Sequence, residues 1–273
     1  MSAKETTLIA VGGGDIAAAT AVLNAIFKTV EHKSDAKLVI MTVATSQVEG
    51  AYEKYDAIFR KRNIKHIEMV DVSAREDAFN EASIKKLEDA DILFFTGGDQ
   101  LNITSLFGGS PMHELMQRRM KEGVVIAGTS AGAAMMSGLM VVGGRSDSAP
   151  KAEGVQLGPG LDLVPECVID THFSQRGRHG RLLTAVAHYP QIVGIGLDEK
   201  CSIVVKGRRF EVVGDGCVTI VEGKDVRHCD LCERKAGDCI GILGVNLHVL
   251  PSGYSFDLET HTPIAPEKRS AAS

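Results

Sequence analysis

The 273-residue chain has no tryptophan and only 5% aromatic residues. It has no large surplus of either charge: 30 Lys and Arg against 35 Asp and Glu leave a net charge of −5. That balance offers no electrostatic footprint for nucleic acid. Cysteine is absent before Cys167; the six are Cys167, Cys201, Cys217, Cys229, Cys232 and Cys239. The apolar core of a secretory signal is also missing, because Met1 to Glu5 lead into a short apolar stretch broken by Gly12, Gly13 and Gly14. The expected compartment is therefore the reducing cytoplasm, where disulfides are rare. No repeat period occurs. One uncharged run, Gly123 to Gly144, imitates a membrane span, and Gly128-x-x-x-Gly132 has the spacing of a helix-dimer motif. Its small residues and two separate apolar blocks predict a buried strand, turn and helix instead, and no membrane association is expected.

What is present fits a globular enzyme-sized chain, 44% hydrophobic and 24% charged. Glycine is the excess: 29 residues, where average usage would give roughly 19. Such an excess asks for unusual backbone conformations. The apolar runs Thr7–Val11, Lys37–Val43, His66–Val70, Asp91–Thr96 and Val124–Ala127 predict strands. Helical stretches are expected at Ile16–Val30, Glu49–Arg62 and Asn80–Ala90 between them. This alternation predicts an α/β fold, with a mostly parallel sheet flanked by helices on both faces. Gly143 to Pro165 is long enough for a functional loop. Cys167–Asp170 and Ile192–Leu197 continue the sheet around a helix from about Gln175 to His188. From Cys201 the pattern turns to hairpins added to the same sheet, with strands again at Val245–Leu250 and Tyr254–Leu258. No linker divides the chain, so residues 1–273 read as one domain with a loose tail after about residue 263.

Gly128-Thr129-Ser130-Ala131-Gly132 fits G-x-S-x-G. An apolar strand precedes it and a helix-compatible stretch, Ala131–Ser137, follows, which is the setting of a nucleophile elbow. The competing reading is a tight turn with Ser130 as a helix cap. In the first reading the Ala131 N–H donates to a developing oxyanion. Gly97 and Gly98 end the Asp91–Thr96 strand at the sheet edge where ligands bind, and their N–H groups would complete that hole. Asp99 follows as a helix cap. Gly12-Gly13-Gly14-Asp15 is not a dinucleotide fingerprint and reads as structural. For a base, His172 at a strand end competes with His179. For the orienting acid, Asp170, Asp198 and Glu199 all stand near strand ends. Arg176, Arg178 and Arg181 read either as a solvated charge run or as a carboxylate-binding group. His228, Cys229, Cys232 and Cys239 lack a second C-x-x-C knuckle, so separate thiols are favoured over zinc. No cofactor or metal is expected.

Together, Phe94-Phe95-Thr96-Gly97-Gly98-Asp99-Gln100, Gly128-Thr129-Ser130-Ala131-Gly132-Ala133, His172-Phe173-Ser174-Gln175-Arg176-Gly177-Arg178 with Gly180-Arg181-Leu182, and Gly194-Ile195-Gly196-Leu197-Asp198-Glu199 resemble the cyanophycinases. The resemblance spans nearly the whole chain. It implies a class I glutamine amidotransferase-like fold, kinship with aspartyl dipeptidase E, and a cytoplasmic homodimer. It also implies a serine exopeptidase that releases β-aspartyl-arginine dipeptides from cyanophycin, a poly-aspartate carrying arginine on each β-carboxyl. It points to Ser130, His172 and Glu199 as the triad. Gln100, Asp170, Arg176, Arg178 and Arg181 become substrate contacts, with Asp99 or Asp170 as the partner of the substrate guanidinium and Thr171 standing where many relatives carry Gln. Two other readings remain in play: an α-aspartyl dipeptidase of the same fold, and a non-catalytic ligand-binding protein.

Overall fold

The computed structural model describes residues 6–33, 35–144 and 149–267. Its first half alternates as expected. Strands β1 (Thr7–Val11), β2 (Lys37–Met41), β3 (His66–Val70), β4 (Ile92–Phe95) and β5 (Val125–Thr129) run parallel in the order β3-β2-β4-β5-β1. β4 and β5 are buried at every position because both sheet faces are covered. β3 lies at the edge and alternates instead.

Helices α1 (Thr20–Lys28) and α2 (Val48–Arg60) cover one face. Their Leu23, Ile26, Tyr55 and Phe59 pack on Ile9, Ile40 and Phe94. The other face carries α3 (Glu81–Asp89). A short α4 (Gln100–Asn102) runs into a π-helical turn at Ile103–Phe107, and α5 (Pro111–Lys121) follows. No element was expected between residues 101 and 123. The signal was there: Ser110 caps α5 by accepting from the His113 amide at 3.2 Å, with Pro111 at the first helical position.

The uncharged run becomes β5, the Ser130 turn, α6 (Ala131–Ala134) and β6 (Leu139–Gly144). The helix stops short of the expected Ser137. The Met135 and Met136 carbonyls are taken by the Leu161 and Val164 amides at 2.7 and 2.8 Å, which ends helical bonding there. Among the described residues no helix is long and apolar enough to cross a membrane. The segment expected as a loop contains β7 (Val155–Pro159), paired antiparallel with β6; residues 145–148 of it lie outside the described residues.

The second half departs from the single sheet expected. β8 (Cys167–Thr171) and β9 (Val193–Leu197) are parallel strands joined across α7 (His179–His188). They pair with each other rather than with β1–β5. β10 (Cys201–Lys206) and β11 (Arg209–Gly214) return to the first sheet, β10 running antiparallel to β1. β12 (Val218–Glu222) joins β9. β13 (His228–Cys229) and β14 (Ile242–Leu243) form a small ribbon. β15 (Asn246–Leu250) completes a second sheet ordered β15-β12-β9-β8. β16 (Ser255–Asp257) and β17 (Thr262–Ile264) extend the first sheet to nine strands. The two sheets share one core, in which Ala10, Ile203 and Val212 of the first lie with Ile169, Ile195 and Ile220 of the second. α7 backs the second sheet through Leu182 and Val186. Apolar runs alone do not say which of two packed sheets a strand joins, so this partition was invisible in the sequence.

Candidate active site

The carboxyl ends of β1, β4, β5, β8 and β9 meet where the two sheets touch. β5 delivers Ser130, whose backbone has φ 52° and ψ −109°, a strained turn between strand and helix. The turn requires glycine on both sides. A Cβ at Gly128 would lie 2.1 Å from the Gly132 carbonyl oxygen, and one at Gly132 would lie 2.4 Å from that of Phe95. β8 delivers His172 at φ 49°. Glu199 stands in the short step by which the chain leaves β9 for β10, between the two sheets.

These three side chains form a continuous relay. Ser130 Oγ lies 2.9 Å from His172 Nε2, and His172 Nδ1 lies 2.7 Å from Glu199 Oε1. The imidazole is 12% exposed and the carboxylate 35%, so the base is shielded while the site stays open to solvent. With Nδ1–H donating to Glu199, Nε2 is left to accept the serine proton. The rival residues are committed elsewhere. Asp198 accepts from the Ser174 amide at 3.0 Å and from Cys217 at 3.3 Å. His179 is exposed, its ring centroid 4.6 Å from that of Phe173. Gln175 adds a support that the sequence analysis did not assign, its side-chain oxygen accepting from the Glu199 amide at 3.0 Å.

Around the serine, Gly97 approaches closely: a Cβ there would sit 3.4 Å from Ser130 Cβ. Gly98, at φ 147°, is pressed against Ala44, whose carbonyl a Cβ would meet at 1.9 Å. Ala131 begins α6, so its N–H has no intrahelical acceptor. Asp99 is exposed and caps α4 through the Leu101 amide at 2.8 Å. Gln100 donates its side-chain amide to the Val141 carbonyl at 2.6 Å, which ties it to β6.

The arginine segment is a 3-10 turn, Ser174–Arg176, then Gly177 in a left-handed conformation, then α7. Asp170, 2% exposed, is held by both oxygens to Arg181 and accepts from Arg178 Nη1 at 3.1 Å. Arg178 also donates to the Thr171 carbonyl at 2.6 Å, and its buried Nε has no partner among the described residues. Burial lowers the Arg178 pKa, although Asp170 opposes that effect. Thr171 is buried and Arg176 exposed.

The Gly12–Gly14 segment, expected only to be structural, lies beneath the relay. A Cβ at Gly13 would meet the His172 ring at 2.4 Å, and one at Gly14 would meet Glu199 at 2.9 Å. No sequence pattern indicated those neighbours. His228 and Cys229 lie in the β13–β14 ribbon, with Cys232 and Cys239 exposed. Among the described residues no three His, Cys, Asp or Glu side chains are grouped to hold a metal ion.

Comparison with known proteins bears on this geometry. The chain is 34% identical over 234 residues to the cyanophycinase of Geminocystis herdmanii, covering 85% of this chain and 86% of that one. It is 34% identical to the cyanophycinase of Trichormus variabilis, covering 84% and 78%. In fold it is similar to a peptidase from an acI-B1 actinobacterium, with TM-score 0.67, 21% identity, and coverage of 93% and 97%. A peptidase E-type protein from Listeria monocytogenes shares the fold at TM-score 0.54 and 16% identity, covering 78% of this chain and 100% of that one. The model of peptidase family S51 matches residues 5–213, well over half of the sequence. The chain therefore belongs to peptidase family S51 and is a serine-type peptidase.

Proposed function

We propose that the chain, acting as one α/β domain, hydrolyses the poly-aspartate backbone of cyanophycin and releases β-aspartyl-arginine dipeptides. The observation that carries this reading is the relay Ser130–His172–Glu199 in a chain one-third identical to cyanophycinases. His172 Nε2 takes the Ser130 proton as Oγ attacks a backbone aspartyl carbonyl. Glu199 holds the imidazole in the required tautomer and stabilises its cation. The Ala131 N–H and an N–H of Gly97 or Gly98 receive the oxyanion. His172 then protonates the leaving amine, the C–N bond breaks, and an acyl-Ser130 ester remains. Water, deprotonated by His172, resolves the ester and returns the proton to Ser130.

The substrate carries a carboxylate and a guanidinium in each repeating unit. Arg176, being exposed, is the group suited to a carboxylate through forked hydrogen bonding, with Arg178 adding positive charge. Asp170 and Arg181 bond to each other, so in this reading they hold Arg178 in place rather than grip substrate. Asp99, being exposed, is the carboxylate offered to the guanidinium. Of the other residues that the family resemblance assigns to the substrate site, Gln100 is tied to the Val141 carbonyl and Thr171 is buried. The family resemblance supports a homodimer in the cytoplasm, to be checked by sedimentation and by fractionation of the source cells.

Incubating wild-type and Ser130→Ala protein with insoluble cyanophycin, and in parallel with Asp-X dipeptides, tests the proposal. Wild type releases β-aspartyl-arginine and Ser130→Ala does not. Cleavage of Asp-X dipeptides alone would make the chain an α-aspartyl dipeptidase. Equal activity of both proteins would remove Ser130 from the mechanism.

A further inference from the structure

Three residues at the relay have left-handed backbones without being glycine: Ser130 at φ 52°, His172 at φ 49° and Lys200, directly after Glu199, at φ 58°. Such conformations persist only where the surroundings over-determine them. The surroundings here are a single stretch of chain. The Ser130 amide donates to the Val11 carbonyl at 3.0 Å, the His172 amide to the Gly12 carbonyl at 2.8 Å, and the Lys200 amide to the Gly13 carbonyl at 3.1 Å. Three successive carbonyls thus take the amides of three strained residues from three separate loops. The Gly12 amide in turn donates to the Cys201 carbonyl at 2.9 Å, fixing the stretch at the start of β10.

Side-chain space is set by the same stretch. Gly13, at φ 101°, leaves no room for a Cβ: His172 Cε1 would lie 2.4 Å away and Nε2 2.5 Å away. Gly14, at φ 80°, borders Glu199 Cβ and Oε2, each 2.9 Å from where its Cβ would be. The imidazole therefore rests directly on bare backbone.

We infer that Gly13 and Gly14 are positioning residues, and that the Val11–Gly14 stretch is the common template bringing the nucleophile of one sheet and the base and acid of the other into register. The inference rests on the proposed roles of Ser130, His172 and Glu199. The two sheets pack through apolar side chains, which tolerate small slips; hydrogen bonds to consecutive carbonyls do not. A methyl group at Gly13 moves the ring off its seat, and a misplacement of about 1 Å costs on the order of 10²-fold in rate. Substrate binding, which the template does not touch, is left alone.

The test is steady-state kinetics on cyanophycin dipeptide release by Gly13→Ala, with proton NMR of the relay hydrogen bond. Gly207→Ala is the control, because Gly207 has a comparable left-handed φ of 56°, nothing within 4 Å of its Cβ position, and a place in the distant β10–β11 turn. Gly13→Ala is expected to lower kcat by about 10²-fold with KM little changed. The downfield proton signal of the His172–Glu199 hydrogen bond, kept in Ser130→Ala, disappears in Gly13→Ala. Gly207→Ala keeps wild-type kinetics. If Gly13→Ala does not fold, Gly14→Ala, whose Cβ meets the adjustable Glu199 side chain, is judged by the same readouts. Wild-type kcat in the folded variant, a loss confined to KM, or an equal kcat loss in Gly207→Ala would overturn the template. Retained activity in Ser130→Ala would instead overturn the triad on which it rests.

Discussion

At Asp170 a single carboxylate, almost wholly removed from water, answers two guanidinium groups. Arg181 takes both oxygens in a fork and Arg178 shares one of them. Removing the charge while keeping the shape, as in Asp170→Asn, leaves two poorly solvated cations against each other. Breaking a buried pair from one side costs about 3–5 kcal/mol. Urea unfolding of Asp170→Asn should show a loss of that order, and a change below about 1 kcal/mol would mean that water reaches the arginines. The sequence placed Asp170, Arg178 and Arg181 near one another and near His172, the proposed base. It did not reveal that the three bond mainly among themselves. That depends on Gly177 interrupting the helix so that α7 starts at His179 and lays Arg181 over the end of β8. Ser130 was legible from its G-x-S-x-G setting after an apolar strand, whereas His172 had a rival in His179 and Glu199 in the adjacent Asp198, and only the family resemblance chose between them.

The element that most constrains this site is the β5–α6 corner. Its two glycines bring strand and helix within reach of each other and of β4. At Gly132 a Cβ would strike the Phe95 carbonyl, a backbone atom that cannot swing aside. Gly132→Ala should destabilise by at least the roughly 1–3 kcal/mol of an overpacked core, and a thermal scan would read it as a lowered Tm. An unchanged Tm would show that β4 and α6 can part freely. Most strands were readable as apolar runs, and α2 and α3 fell within about two residues of expectation. α6 was overestimated because Met135, Met136 and Ser137 suit a helix, while the carbonyls at Met135 and Met136 are claimed from residues distant in sequence. The partition into two sheets was hidden for the same kind of reason, since an apolar strand is equally content in either layer.

Across the whole molecule, burial controls the groups that titrate at high pH. It pushes the thiols of Cys167 and Cys201 from 9.0 up to about 12, Asp198 and Cys217 adding to the effect at Cys201. It also pushes the Tyr55 hydroxyl from 10.0 up to about 12, with Asp15 adding to it. Each folded group keeps its proton where the unfolded chain would lose it. Their contribution is therefore fully present below about pH 9 and is lost as pH rises toward 12. Urea midpoints at pH 8, 10 and 11 should fall in that order, and thiol reagents at pH 8 should label exposed Cys232 and Cys239 while sparing Cys167 and Cys201 until unfolding. Rapid labelling of the buried pair, or a midpoint that does not fall, would contradict this account. The seating of the relay between two sheets has a consequence for biosynthesis. In the proposed mechanism the nucleophile emerges from the ribosome with β1–β5, while Glu199 follows about seventy residues later, a delay of some seconds at ordinary rates of translation. In the proposed mechanism, a nascent chain carries Ser130 without its base until β8 and β9 have been made and docked. On that mechanism the peptidase is born inert and becomes competent only when its second layer closes on the first.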